Sequence, residues 1–155
     1  YASTEADCLP TSSSTACRPM SGGEDFFDTN VVLYLLSADP AKADRAEELL
    51  AMGGTISVQV LNEFVAVASR KLRMSWIEIR EVLAQVRAVC AVEPVTVETH
   101  ERALRLAERY GLSIYDALIV SAALLANCMT LHSEDMQDGQ VIERQLTIRN
   151  PFTTS

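Results

Sequence analysis

Four carboxylates, Asp28, Glu63, Asp116 and Asp135, occupy places that an alternation of strands and helices would make informative. Asp28 lies in EDFFDTNVVLYLL, where it is the only charged side chain between Asp25 and Asp39. An ionised carboxylate in such a run is costly to bury unless a cation or several donors meet it. Asp116 opens the apolar stretch IYDALIVSAALLAN and is the only ionised side chain between Arg109 and Glu134. Asp135 follows MTLHS in a Ser-Glu-Asp segment running into QDG, and Glu63 sits beside Val60 and Val67 at the edge of an apolar stripe. Singly, each has a plain structural reading: an acid on a helix dipole, a loop acid, an exposed helical glutamate. If they converge, they repel one another unless a divalent cation joins them. Oxygen donors with two histidines and no C-x-x-C pair select Mg²⁺ or Mn²⁺ over zinc.

Convergence depends on the elements that carry these residues. The pattern predicts a short strand ending at Asp28, a helix from about Val31, and a second helix opened by Pro40 and closed by Gly53 and Gly54. TISV follows as a strand. QVLNEFVAVASRKL comes next as a helix, with Val60, Leu61, Phe64, Val65 and Ala68 on its apolar face. Ser75 is placed to cap WIEIREVLAQVRAVC, EPVTV reads as the next strand, and ETHERALRLAERY is a helix stopped by Gly111. IYDALIVSAALLAN is apolar on every side and must be buried, and MTLHS and QLTIRN supply the last strands. Strands separated by helices imply crossovers and a largely parallel sheet covered on both faces. In such a sheet, ligands bind where the strands' carboxyl ends form a crevice. Asp28 is expected to end the first strand and Asp135 to follow another, and Glu63 and Asp116 to lie in the first turns of helices that can start above the same edge.

Composition narrows the class. A chain of 155 residues with 48% hydrophobic content suits one compact domain. The greasiest stretch, Ile114 to Leu125, falls short of the roughly 20 residues that span a bilayer. The first twenty residues lack a basic start and an apolar core, so they do not read as a signal peptide and a cytoplasmic location is expected; with Met20 a sensible start, residues 1–19 read as an added or upstream tail ahead of a domain over residues 20–155. Cys8 and Cys17 lie in that tail, while Cys90 and Cys128 lie in apolar helical surroundings as reduced core thiols. The balance of 13 basic to 21 acidic residues argues against a general nucleic-acid coat, yet a carboxylate site itself supplies several of those charges. The basic residues cluster as Arg70, Lys71 and Arg73 and as Arg102, Arg105 and Arg109, and both clusters could border an acidic site. The haloacid-dehalogenase type of phosphotransferase needs a second acid where Asn30 stands, and G-x-G-x-x-G, the mark of dinucleotide enzymes, is absent.

The segments FFDTNVVLYLL, SVQVLNEFVAVASRKL, YGLSIYDALIVSAALLANC and LHSEDMQDGQ, in that order, resemble the PIN-domain ribonucleases and, within them, the VapC-like toxins of bacterial toxin–antitoxin pairs. The resemblance covers about Asp25 to Phe152. It implies a three-layer α/β/α sandwich with a mainly parallel sheet, and endonucleolytic RNA cleavage at a Mg²⁺ or Mn²⁺ site. It assigns the catalytic, metal-binding acids to Asp28, Glu63, Asp116 and Asp135. Thr29, Asn30 and Ser133 become their small polar supports, and Asp138 a fifth, outer acid. On this reading Arg70, Lys71 and Arg73 contact RNA phosphates. A homodimer and an antitoxin segment that inserts an arginine among the acids are expected by resemblance. The competing expectation is a PIN fold kept as a binding module whose acids no longer act.

Overall fold

The computed structural model describes residues 24–153, and the expectations for residues 1–19 fall outside them. The chain begins at its centre. β1 (Asp25–Phe27) runs parallel to β2 (Gly54–Ser57) on one side and to β4 (Thr130–His132) on the other, so the sheet is built outward in both directions. β3 (Cys90–Glu93) pairs with β2, and β6 (Leu146–Arg149) with β4, also in parallel. β5 (Val141–Ile142) closes the edge antiparallel to β6, giving the order β3-β2-β1-β4-β6-β5.

Between β1 and β2 lie α1 (Thr29–Leu33), a 3₁₀ turn (Tyr34–Leu36) and α2 (Pro40–Ala51). α3 (Val58–Arg70) and α4 (Trp76–Val89) connect β2 to β3, and α5 (Val97–Tyr110) and α6 (Ile114–Leu125) connect β3 to β4. Right-handed crossovers send α1 to α4 to one face of the sheet. The reversal from β3 back to β4 sends α5 and α6 to the other, which makes a three-layer α/β/α sandwich. Phe26, Leu131 and Ile148 stand in one register row across three strands, and each is fully buried.

Local chemistry sets most element ends. Asp39 caps α2 ahead of Pro40, Ser75 and Glu78 form a reciprocal capping box on α4, and Gly111 ends α5 at φ +69°. Gly54 is a strand residue rather than a helix stop. A Cβ there would stand 2.5 Å from the Phe27 ring, so only glycine lets β2 approach β1. The expected strand EPVTV is instead a connection. α4 runs straight into β3 at Cys90, Pro94 has no N–H for a ladder, and Thr96 is taken up in a capping box with Thr99 that starts α5. Cys90 therefore opens a strand rather than ending a helix, and both it and Cys128 are buried thiols. The first helix starts at Thr29, two residues earlier than its apolar run suggests, because the Asp28 carboxylate caps it. Among the described residues no helix is long and apolar enough to cross a membrane.

Candidate active site

The switch in strand order beside β1 leaves a crevice at the carboxyl ends of β1 and β4. A cavity of about 310 Å³ opens there, lined by Asp28, Glu63, Asp116 and Asp135 together with Thr29 and Asn30. Residues from four separate parts of the chain thus meet at one place. Asp28 is the residue directly after β1. Its backbone N–H continues the ladder to the His132 carbonyl at 3.0 Å, which fixes the side chain at the sheet edge. Glu63 reaches the cavity because Val60, Phe64 and Ala68 turn the other face of α3 into the core, leaving Glu63 and Val67 at its flank. Asp116 lies in the first turn of α6, where its backbone N–H is capped by Ser113 at 3.1 Å. Asp135 stands exposed on the loop after β4.

Asp28 is 4% exposed and accepts from the Thr29 N–H at 2.6 Å, the Ser133 hydroxyl at 2.7 Å and the Asn30 amide at 3.2 Å. Burial nevertheless pushes its pKa up to about 7. The Ser133 and Thr29 hydrogen bonds pull it down, and repulsion from Asp116 and Glu63 adds to the rise. Asp116 is also raised above the usual carboxylate range, by burial first and then by Glu63 and Asp135. Glu63 is held by the Thr29 hydroxyl at 2.6 Å and by Gln59 at 2.9 Å. The Asn30 amide nitrogen donates to both Asp28 and Asp135, at 3.2 Å each.

This donor set suits a hard divalent cation. It offers carboxylate oxygens only, one of them buried at a cost that a cation would remove, and the remaining polar side chains orient those oxygens. In the present geometry, among the described residues, no three Asp, Glu, His or Cys side chains form a finished ion cage. The acids line a cavity rather than a closed coordination shell.

The other residues singled out from the sequence fall in two places. Asp138 is exposed, accepts from the Asn150 N–H at 2.8 Å and does not line the cavity, so its carboxylate anchors the chain after β6. Arg70, Lys71 and Arg73 are exposed where α3 ends, and Arg70 lies two turns beyond Glu63 on the helix side that carries Ala66 and Val67 along the cavity. Arg102 is tied to Glu143 at 2.9 Å.

A family model described as the PIN domain matches residues 26–138. No match emerged among curated proteins. Among solved structures, a toxin–antitoxin complex from Klebsiella pneumoniae aligns at 22% identity and TM-score 0.61, covering 82% of this chain and 97% of that one. VapC20 of Mycobacterium tuberculosis, a sarcin–ricin-loop-cleaving toxin, aligns at 24% identity and TM-score 0.59, covering 72% and 89%. VapBC2 of Rickettsia felis, bound to a DNA fragment from its promoter, aligns at 21% identity and TM-score 0.59, covering 81% and 98%.

Proposed function

Because the chain belongs to the PIN domain family, we propose that it is a divalent-metal-dependent endoribonuclease, the toxin of a toxin–antitoxin pair. The observation that carries this reading is the convergence of Asp28, Glu63, Asp116 and Asp135 on one cavity at the sheet's carboxyl edge. Asp28, Asp116 and Asp135 would hold Mg²⁺ or Mn²⁺, with Glu63 as a further ligand or as the base that orients water. When bound, such an ion lowers the pKa of a coordinated water and neutralises charge on a scissile phosphate. The chain's own residues prepare the site. Ser133 and the Thr29 N–H fix the Asp28 carboxylate, the Thr29 hydroxyl and Gln59 fix Glu63, and Asn30 ties Asp28 to Asp135. In-line displacement at such a centre needs no nucleophilic serine or cysteine.

Arg70, Lys71 and Arg73, at the end of the helix that carries Glu63, supply cationic contacts to the RNA backbone, so binding weakens as salt rises. The partner side of the proposal is an antitoxin and a second copy of the chain. It is supported by toxin–antitoxin complexes among the structural neighbours and by exposed Trp76 and Ile77 on α4. A groove of about 400 Å³ between α2 and α4, lined by Leu36, Leu50, Val82, Val86 and Val89, is available to an antitoxin helix. The test is cleavage of a labelled RNA by purified protein with Mg²⁺ or Mn²⁺ and with excess EDTA, using Asp28→Asn as the contamination control. Metal-dependent cleavage that is lost in the variant is expected. Cleavage that persists in EDTA, or no cleavage of any RNA by the wild type, overturns the reading, the latter in favour of a binding module.

A further inference from the structure

Beside the cavity lies a second polar cluster, none of whose members stands out in the sequence. Lys42 on α2 donates to Glu134 Oε2 at 3.1 Å and to the Tyr34 hydroxyl at 3.1 Å, and the Tyr34 hydroxyl donates to Glu134 Oε1. The Lys42 ammonium also stands 4.5 Å over the Tyr34 ring, which packs edge-on against Phe152 at 4.7 Å. The 3₁₀ turn, α2 and the loop after β4 are thereby drawn together. Glu134 is held below the usual carboxylate range, by the Tyr34 hydroxyl first and then by Lys42. As an ion pair with side chains 34% and 27% exposed, Lys42–Glu134 contributes little stability by itself.

Its consequence lies in the backbone of Glu134. That N–H donates to Asn30 Oδ1 at 3.2 Å, which fixes which way the Asn30 amide faces. With the oxygen committed to Glu134, the amide nitrogen points its protons at Asp28 Oδ2 and Asp135 Oδ2, at 3.2 Å each. Turned over, the amide would set its oxygen against two carboxylates. Asp135 is exposed on a loop, so this amide is a principal restraint on where its carboxylate stands relative to buried Asp28. Glu134, one residue away, is a fifth acid that could compete for a cation, and Lys42 and Tyr34 occupy both of its oxygens.

We propose that Tyr34, Lys42 and Glu134 form a positioning bracket. Through the Glu134 backbone and the Asn30 amide it sets the spacing of Asp28 and Asp135, and it keeps the Glu134 carboxylate out of the cation site. Groups outside the ligand shell commonly change metal affinity by about 10- to 100-fold when removed. The metal-affinity and catalytic parts of the proposal rest on the proposed function, whereas the link from Lys42 and Tyr34 to the Asn30 amide does not.

The experiment compares wild type with Lys42→Met, Lys42→Arg, Tyr34→Phe and Lys42→Met/Glu134→Gln by three readouts. These are the Asn30 side-chain amide resonances in metal-free protein, the Mg²⁺ concentration giving half of the melting-temperature rise, and kcat and KM on RNA. Lys42→Met is expected to move the Asn30 resonances, weaken Mg²⁺ binding about 10-fold or more and lower kcat with KM little changed. Lys42→Arg should restore most of all three, Tyr34→Phe should fall between, and the double variant should be no worse than Lys42→Met. If Lys42→Met only lowers the melting temperature, with Asn30 resonances and Mg²⁺ affinity unchanged, the cluster is an ordinary surface contact and the proposal is overturned. If those two readouts respond while no form of the protein cleaves RNA, the bracket stands and the nuclease reading falls. If the wild type cleaves RNA and Lys42→Met cleaves it equally well with Asn30 unmoved, the bracket falls and the nuclease reading stands.

Discussion

Replacing Asp28 by Asn should stabilise the metal-free protein at pH 8 and lose that advantage at pH 5. The 4% exposed carboxyl titrates at about 7 instead of its ordinary 3.8, chiefly through burial. Between those values the folded state keeps a proton that the unfolded chain has released. Stability from this group is therefore fully present below about 3.8 and is lost as pH rises to about 7. The full loss is roughly 4 kcal/mol at about 1.4 kcal/mol per tenfold change in acidity, and roughly 3 kcal/mol of it falls between pH 5 and pH 8. Asparagine keeps the shape and one acceptor, for the Thr29 N–H or for Ser133, while weakening the contact with Asn30 at a cost of about 1–2 kcal/mol. The variant should then exceed wild type by about 1–3 kcal/mol at pH 8 and match or fall below it at pH 5. At roughly 3 °C per kcal/mol for a domain of this size, the gap in melting temperature should change by about 9 °C between the two pH values. Subtracting the two proteins' melting curves in EDTA removes the shared titration of other carboxylates. A gap that does not change with pH would refute the assignment of a neutral, buried Asp28 to the metal-free fold.

Three further outcomes follow from the same geometry. Asp116→Asn should melt at or above wild type in EDTA, because it removes a charge facing Glu63 and Asp135, yet should lose most of the Mg²⁺-dependent rise in melting temperature. A purely dipolar role predicts instead a loss of up to about 1 kcal/mol and an unchanged response to metal. Gly54→Ala should destabilise by about 1–3 kcal/mol in thermal unfolding, since its Cβ would enter the Phe27 ring and crowd the Asp25 carbonyl at 3.0 Å; a neutral change would mean that β1 and β2 can separate freely. The double variant Arg70→Ala/Lys71→Ala should raise KM for RNA and flatten the log–log dependence of binding on salt by roughly 1.4, at about 0.7 for each single-strand phosphate no longer neutralised; an unchanged slope removes these residues from the RNA path.

Much of this arrangement is legible in the sequence where one local rule dominates. The strand ending just before Asp28, the capped start of α4 at Ser75, the stop at Gly111 and the largely buried α6, exposed mainly at Tyr115, follow from periodicity and capping chemistry. The four acids are legible unevenly: Asp28 and Asp116 interrupt apolar runs, whereas Asp135 sits in a polar loop and Glu63, expected in a first turn, lies in the second turn of α3, so these two gain meaning only from the sheet edge beside them. Less visible is whatever depends on tertiary contact. EPVTV has strand composition, but Thr96 spends its hydroxyl on the Thr99 N–H and Pro94 cannot donate to a ladder. β5 has only two residues, too few to alternate, and exists through pairing with β6. Asp138 looks like a fifth site acid until its oxygen is seen on the Asn150 N–H. Tyr34 and Glu134 meet across a separation of 100 residues, and no spacing rule links them.

The claim that Asp28 is buried in order to hold a divalent cation is tested most directly by anomalous diffraction from crystals of the wild type and of Asp116→Asn soaked in Mn²⁺. A peak is expected in the wild-type cavity within about 2.0–2.3 Å of carboxylate oxygens, Asp28 among them, with a weakened or missing peak in the variant. A wild-type cavity without manganese, or a peak bound only by surface carboxylates away from Asp28, would contradict it.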